Sequence, residues 1–120
     1  VKLPFLYASG KNQDAQKRSI KAIEQVGLKA RMDHKPSELS GGEMQRVAIA
    51  RAIAIEPEII LADEPTGNLD SVTGTEILKL LSDLNQKNVA VVMITHDAKV
   101  ASQAHVHITI KDGKIRTSGQ

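Results

Sequence analysis

Residues 59–70 read Ile59-Ile60-Leu61-Ala62-Asp63-Glu64-Pro65-Thr66-Gly67-Asn68-Leu69-Asp70. The apolar run at the start is strand-sized and β-branched at its head. It predicts a buried parallel strand over 59–62. Pro65 and Gly67 predict a loop over 64–69. An acidic pair at the carboxyl end of a parallel strand stands where α/β folds bind ligands. Asp63 in that position suits Mg2+, held directly or through water. Glu64 suits a residue that orients or deprotonates a water attacking a phosphate. The same residues also read as a strand running into an acidic turn before Pro65.

Downstream, residues 71–86 predict a helix. Ile77, Leu80, Leu81 and Leu84 form an i, i+3, i+4, i+7 stripe. Asp70, directly before it, reads most simply as its N-cap. Residues 89–94 predict a second buried strand. Strand, helix and strand at this spacing make a βαβ unit with a right-handed crossover and a parallel pair. A short helix is expected over 98–103. Residues 106–110 and 114–117, flanking Asp112-Gly113, predict a hairpin with a tight turn. His96 follows the second strand, so it falls at the same sheet edge, near Asp63. An imidazole there suits contact with a phosphate oxygen. His34, His105 and His107 are given no role. His105 and His107 alternate along a strand, but two histidines are a thin basis for a metal site.

Upstream, Leu39-Ser40-Gly41-Gly42-Glu43 opens a helix that must stop before Pro57. Ser40 and Glu43 have capping-box spacing. The expected apolar face is Met44, Val47, Ala48, Ala52 and Ile55. Two glycines at a helix N-terminus let an anion approach unpaired N–H groups at the positive end of the dipole. They serve equally as a plain N-cap. Before them, residues 28–39 predict mostly loop. Residues 11–26 predict a helix with the stripe Ile20, Ile23 and Val26, closed by Gly27. Residues 1–10 read as a connector.

Composition narrows the function classes. The chain has 120 residues, 41% hydrophobic and 25% charged, an ordinary globular balance. Phe5 and Tyr7 are its aromatics, so stacking recognition of single-stranded nucleic acid is not expected. A net charge of +2 is too weak to imply nucleic acid. Without cysteine there are no disulfides or thiolate metal sites, which fits a reducing compartment. No apolar run approaches the roughly 20 residues of a bilayer span, so direct membrane insertion is not expected.

The joint order of these features resembles the ATP-binding cassette (ABC) family. Residues 39–52, Leu39-Ser40-Gly41-Gly42-Glu43-Met44-Gln45-Arg46-Val47-Ala48-Ile49-Ala50-Arg51-Ala52, look like its signature motif. Residues 60–66 look like Walker B, Asn68-Leu69-Asp70 the D-loop, and Thr95-His96-Asp97 the switch histidine. The wording of 63–70 is similar to the lipoprotein-release and macrolide-export branch. The resemblance implies an α/β chain, part of a P-loop NTPase fold, with a helical subdomain at 1–56. Residues 57–120 would be the C-terminal part of the mainly parallel catalytic core. It implies ATP and Mg2+ as cofactors and a transport-coupled ATPase. Ser40, Gly41 and Gly42 would bind the γ-phosphate of ATP held by a second ATPase subunit in a head-to-tail dimer. Asp63 would serve Mg2+, Glu64 would be the catalytic base, His96 would touch the γ-phosphate, and Asp70 would sit at the dimer interface. Transmembrane transporter subunits would be partners, placing the protein in the cytoplasm, peripheral to the inner face of the membrane. Glu43 stands where many members have Gln, a change that keeps the capping box.

One departure is large. The Walker A pattern Gly-x-x-x-x-Gly-Lys-Ser/Thr is absent. At Gly10-Lys11 the first glycine position holds Phe5 and Asn12 replaces the hydroxyl residue. The expectation is a chain that starts inside the domain, with Val1 not an initiator. Such a chain would be inactive alone, expose an edge of its sheet and much apolar surface, and be marginally stable or self-associating. Two alternatives stand beside it. One is the C-terminal part of a genome-maintenance ABC ATPase, against which no coiled-coil heptads appear upstream. The other is a non-catalytic module supplying only the signature face.

Overall fold

The computed structural model describes residues 12–28 and 40–118. The expected connector, most of the 28–39 loop, Lys11, His34 and Leu39 lie outside them.

Helix α1 spans Asn12–Gln25 and α2 spans Gly41–Ile53. Strand β1 is Ile59–Asp63, α3 is Ser71–Gln86 and β2 is Ala90–Ile94. A four-residue α4, Ala98–Ala101, leads to β3 (His107–Lys111) and β4 (Lys114–Ser118). β1 and β2 pair in parallel with Ile59 opposite Ala90 and Asp63 opposite Ile94. β3 and β4 form a separate antiparallel hairpin. Its turn places Asp112 and Gly113 at φ 52° and 73°. Positive φ at both central residues matches the right-handed twist of the strands.

Local chemistry sets the helix ends. Gly27 is left-handed at φ 77°. Its N–H donates to Glu24 O and that of Leu28 to Ile23 O, at 3.1 and 3.0 Å. That pair of bonds is the Schellman closure of a helix. α3 ends the same way with Asn88 at φ 70°, Asn88 N–H on Asn85 O and Val89 N–H on Leu84 O. Asn tolerates the left-handed region that other side chains avoid.

The core joins the three long helices to one face of β1–β2. Ala22 of α1 and Val26 just after it meet Ile49, Ala50 and Ile53 of α2, and Ile77, Leu81 and Leu84 of α3. Ile60 is buried beneath them, with Ala62, Val91 and Met93 half-buried on the same face. The expected stripe of α3 is therefore the buried one. The expected face of α2 is not. Met44 and Ile55 are 43% and 53% exposed, Ala48 is exposed, and Ile49, Ala50 and Ile53 are buried instead. Residues 47–55 are apolar almost all round, so their periodicity does not choose a side; packing against α1 and α3 does.

The strands also differ from the expectation of burial on both faces. Ile59, Leu61, Val92 and Ile94, on the face away from α3, are 54%, 71%, 44% and 55% exposed. The apolar run fixes a strand, but in the described residues helices cover only one side of it.

Candidate functional site

The parallel register brings the carboxyl ends of β1 and β2 side by side. Just beyond them Glu64 adopts φ 49°, left-handed for a residue with a Cβ. Such a conformation costs on the order of 1 kcal/mol or more and is held by its surroundings. Its N–H donates to Ile94 O at 2.7 Å. Its carbonyl accepts from Gly67 N–H at 3.1 Å, closing the turn through the buried Pro65.

That bend aims the Glu64 side chain across to the β2 end. The His96 N–H donates to Glu64 Oε1 at 3.1 Å, and His96 Nδ1 lies 2.5 Å from the same oxygen. An ionised carboxylate only accepts, so the proton of this contact belongs to Nδ1. The turn carrying His96 is closed by its neighbours. Thr95 Oγ1 accepts from Asp97 N–H at 3.0 Å, and Asp97 Oδ1 accepts from Lys99 N–H at 2.8 Å to cap α4. The His96 side chain is 92% exposed and that of Glu64 36%. A group at the sheet edge can therefore reach both.

His96 was expected near Asp63; the carboxylate that takes its ring is Glu64. Asp63 is exposed on the face away from α3, and among the described residues no side chain pairs with its carboxylate. No group of three or more metal-ligating side chains occurs among the described residues. Asp63 is the carboxylate that would hold a magnesium ion at this edge, a hard oxygen donor of the kind Mg2+ takes.

Ser40, Gly41 and Gly42 open α2. Ser40 Oγ accepts from Glu43 N–H and Glu43 Oε1 accepts from Ser40 N–H, both at 3.1 Å, completing the capping box. Ser40 and Gly41 are exposed, whereas Gly42 is buried. A Cβ on Gly42 would fall inside van der Waals contact with Thr73 Cγ2, and one on Gly41 would sit 3.5 Å from Leu69 Cδ2. The α2 N-terminus thus rests on the first turn of α3. Asp70 caps that turn, accepting from Thr73 N–H at 3.1 Å. The Thr73 hydroxyl, and after it the Thr73 backbone N–H, hold the Asp70 carboxyl below its ordinary value.

Apart from Asp63, the candidates form two groups, Glu64 with His96 and Ser40–Gly42 with Leu69, Asp70 and Thr73. The loop 64–70 joins them, with Leu69 N–H on Thr66 O at 3.2 Å as a further rung. Thr73 and Glu64's left-handed bend were not legible in the sequence. Thr73 gives a signal only through its i+3 spacing from Asp70. His105 precedes β3 instead of lying on it, so it does not alternate with His107 on a strand. His107 Nε2 is 2.9 Å from Ala104 O. A cavity of about 620 Å³ between α3, β2 and residues 103–106 touches none of the candidate side chains.

Two carboxylates and a histidine at the carboxyl ends of a parallel strand pair, beside a glycine-opened helix, stand where α/β folds bind ligands. A sequence profile of the ABC transporter family matches residues 4–67, and the chain belongs to that family. Its relatives include the lipoprotein-releasing system ATP-binding protein LolD of Legionella pneumophila (strain Paris), 47% identical over 96% of this chain and 51% of LolD. The macrolide export ATP-binding/permease protein MacB of Chlorobaculum tepidum is 48% identical over 96% of this chain and 18% of MacB. The solved dimeric structure of a bacterial ABC transporter cassette, MJ0796, superposes with a TM-score of 0.76 at 42% identity. That match covers 97% of this chain and 53% of the cassette. The fold is accordingly α/β, part of the P-loop NTPase fold of ABC cassettes. The chain spans about half the length of LolD and of the cassette. Among the described residues no helix is long and apolar enough to cross a membrane.

Proposed function

We propose that these residues are the signature and Walker B part of a transporter's ATP-binding subunit, which hydrolyses ATP at a head-to-tail dimer interface. The observation that carries the reading is Glu64 Oε1 receiving both the N–H and the ring of His96 at the carboxyl edge of a parallel pair. Residues 1–56 form the helical subdomain and 57–120 the C-terminal part of the catalytic core.

Each residue has a chemical task. The Glu64 carboxylate accepts the proton of a water as it attacks the γ-phosphorus. His96 holds Glu64 through its backbone N–H and its Nδ1, which leaves Nε2 as the ring nitrogen to meet a γ-phosphate oxygen. Ser40, Gly41 and Gly42 offer the helix N-terminus and a hydroxyl to the γ-phosphate held by the second subunit. Gly41 is open for that contact, while Gly42 serves it by letting α2 settle on Thr73. Asp63 is the residue that would hold Mg2+. The ion supplies charge neutralisation for the transferred phosphoryl group when bound. Asp70 caps α3 and lies at the subunit interface.

The 120 residues contain no Walker A sequence, the glycine-rich loop whose backbone N–H groups cradle nucleotide phosphates. We expect negligible hydrolysis from these residues alone. The partners are a second ATPase subunit and transmembrane subunits, and the protein works in the cytoplasm against the membrane. The names of LolD and MacB support lipoprotein release or macrolide export as the kind of transport.

The test is the oligomeric state of the protein as its gene encodes it, by light scattering with and without Mg-ATP. The expected result is a monomer that dimerises with Mg-ATP. Ser40→Arg is expected to bind Mg-ATP as before yet remain monomeric. A Ser40→Arg protein that dimerises normally would remove the in-trans role of the signature face.

A further inference from the structure

The α2 helix is held against α3 at a second point, one turn beyond Gly42. Arg46 is on the same side of α2 as Gly42, four residues on. Its side chain is 24% exposed. Nη1 donates to Val26 O at 2.7 Å, and Nη2 lies 3.5 Å from Glu76 Oε2. Val26 follows the last residue of α1, directly before left-handed Gly27, and is fully buried. The Schellman bonds there use the carbonyls of Glu24 and Ile23. The Val26 carbonyl lies past them, at the negative end of the α1 dipole, where a cation is favoured. Arg46 therefore closes α1 from another helix while its second nitrogen faces α3. The guanidinium passes beside Gly27, where an added Cβ would lie 3.6 Å from Nη1.

We infer that Arg46 is a positioning residue for the signature turn. The α2–α3 seam has two polar or glycine contacts ahead of its apolar part: Gly42 on Thr73, then Arg46 facing Glu76. The first sets how near α2 comes to α3. The second ties α2 both to the end of α1 and to α3. It fixes the direction in which the Ser40–Gly41 N–H groups point. A planar guanidinium with five donors can hold a carbonyl and a carboxylate at once; a lysine ammonium can reach either but does not present the same fork. The inference rests on the reading of Ser40–Gly42 as a phosphate-binding turn in trans.

The experiment uses the protein as its gene encodes it, with Arg46→Met, Arg46→Lys and Glu76→Gln variants. It measures kcat and KM for Mg-ATP, binding of Mg-ATP to the monomer, and thermal melts. Arg46→Met is expected to lower kcat at least about tenfold, with monomer binding of Mg-ATP within about twofold. Arg46→Lys is expected to recover part of the loss, and Glu76→Gln to lose less than Arg46→Met. Arg46→Met at wild-type kcat would overturn the inference. So would a kcat loss that merely tracks the unfolded fraction in the melts, or an Arg46→Lys protein no better than Arg46→Met. Should Arg46→Met fail to fold, the kcat of Arg46→Lys decides alone: at the wild-type value it overturns the inference, and reduced with a wild-type melt it supports it. A wild-type protein that neither hydrolyses ATP nor dimerises with it would fail one step earlier, removing the proposed function and this inference with it.

Discussion

Gly42 of α2 and Thr73 of α3 touch where no larger residue fits: a Cβ at 42 would meet Thr73 Cγ2 inside contact distance. The glycine that a sequence reading assigns to phosphate is thus also the glycine on which two helices close. Gly42→Ala is expected to destabilise the fold by about 1–3 kcal/mol, the usual cost of overpacking. Thr73→Ser deletes the methyl and keeps the hydroxyl. The Gly42→Ala/Thr73→Ser double variant should regain most of that stability, a coupling visible in denaturant unfolding of the four proteins. Additive losses would show that Thr73 is not what excludes a side chain at 42.

Asp70 predicts a pH dependence. Its folded pKa is lowered from 3.8, first by the Thr73 hydroxyl and then by the Thr73 N–H. A lowered carboxyl contributes stability that is present above its unfolded value and lost as pH falls through the folded one. Asp70→Ala should therefore lower the melting temperature most near neutral pH. The gap to wild type should narrow below about pH 4. A gap that stays constant down to pH 3 would contradict the charge-assisted cap.

The features legible in the sequence are those with local causes. Asp70 and the stripe from Ile77 to Leu84 specify α3, Ser40 and Glu43 specify the start of α2, and Asp112-Gly113 specifies the hairpin turn. The buried side of α2 is not local, because Val47 to Ile55 offers apolar residues in most directions and only α1 and α3 select Ile49 and Ile53. The pairing of Glu64 with His96 spans 32 residues. The sequence brings both to one sheet edge, but the register and Glu64's left-handed φ decide that Glu64, and not Asp63, takes the ring.

Leu61 and Val92 are register partners on the face of β1–β2 away from α3 and are 71% and 44% exposed. Contiguous apolar surface of this kind drives association. The 120-residue chain alone is expected to self-associate with rising concentration in sedimentation experiments. Leu61→Lys with Val92→Lys should reduce that association. A monomeric chain with a cooperative melt would contradict it.

The proposed catalytic centre stands or falls on Glu64. The most direct measurement is phosphate release from Mg-ATP by the protein as its gene encodes it, wild type against Glu64→Gln. The amide keeps the shape and can still accept from His96 N–H, but it takes no proton from water. The account predicts a kcat lower by at least about a hundredfold, the scale of a lost general base, with Mg-ATP affinity within about threefold. A Glu64→Gln protein that hydrolyses ATP within a few-fold of wild type would contradict it, leaving the Glu64–His96 contact a structural link between the ends of β1 and β2.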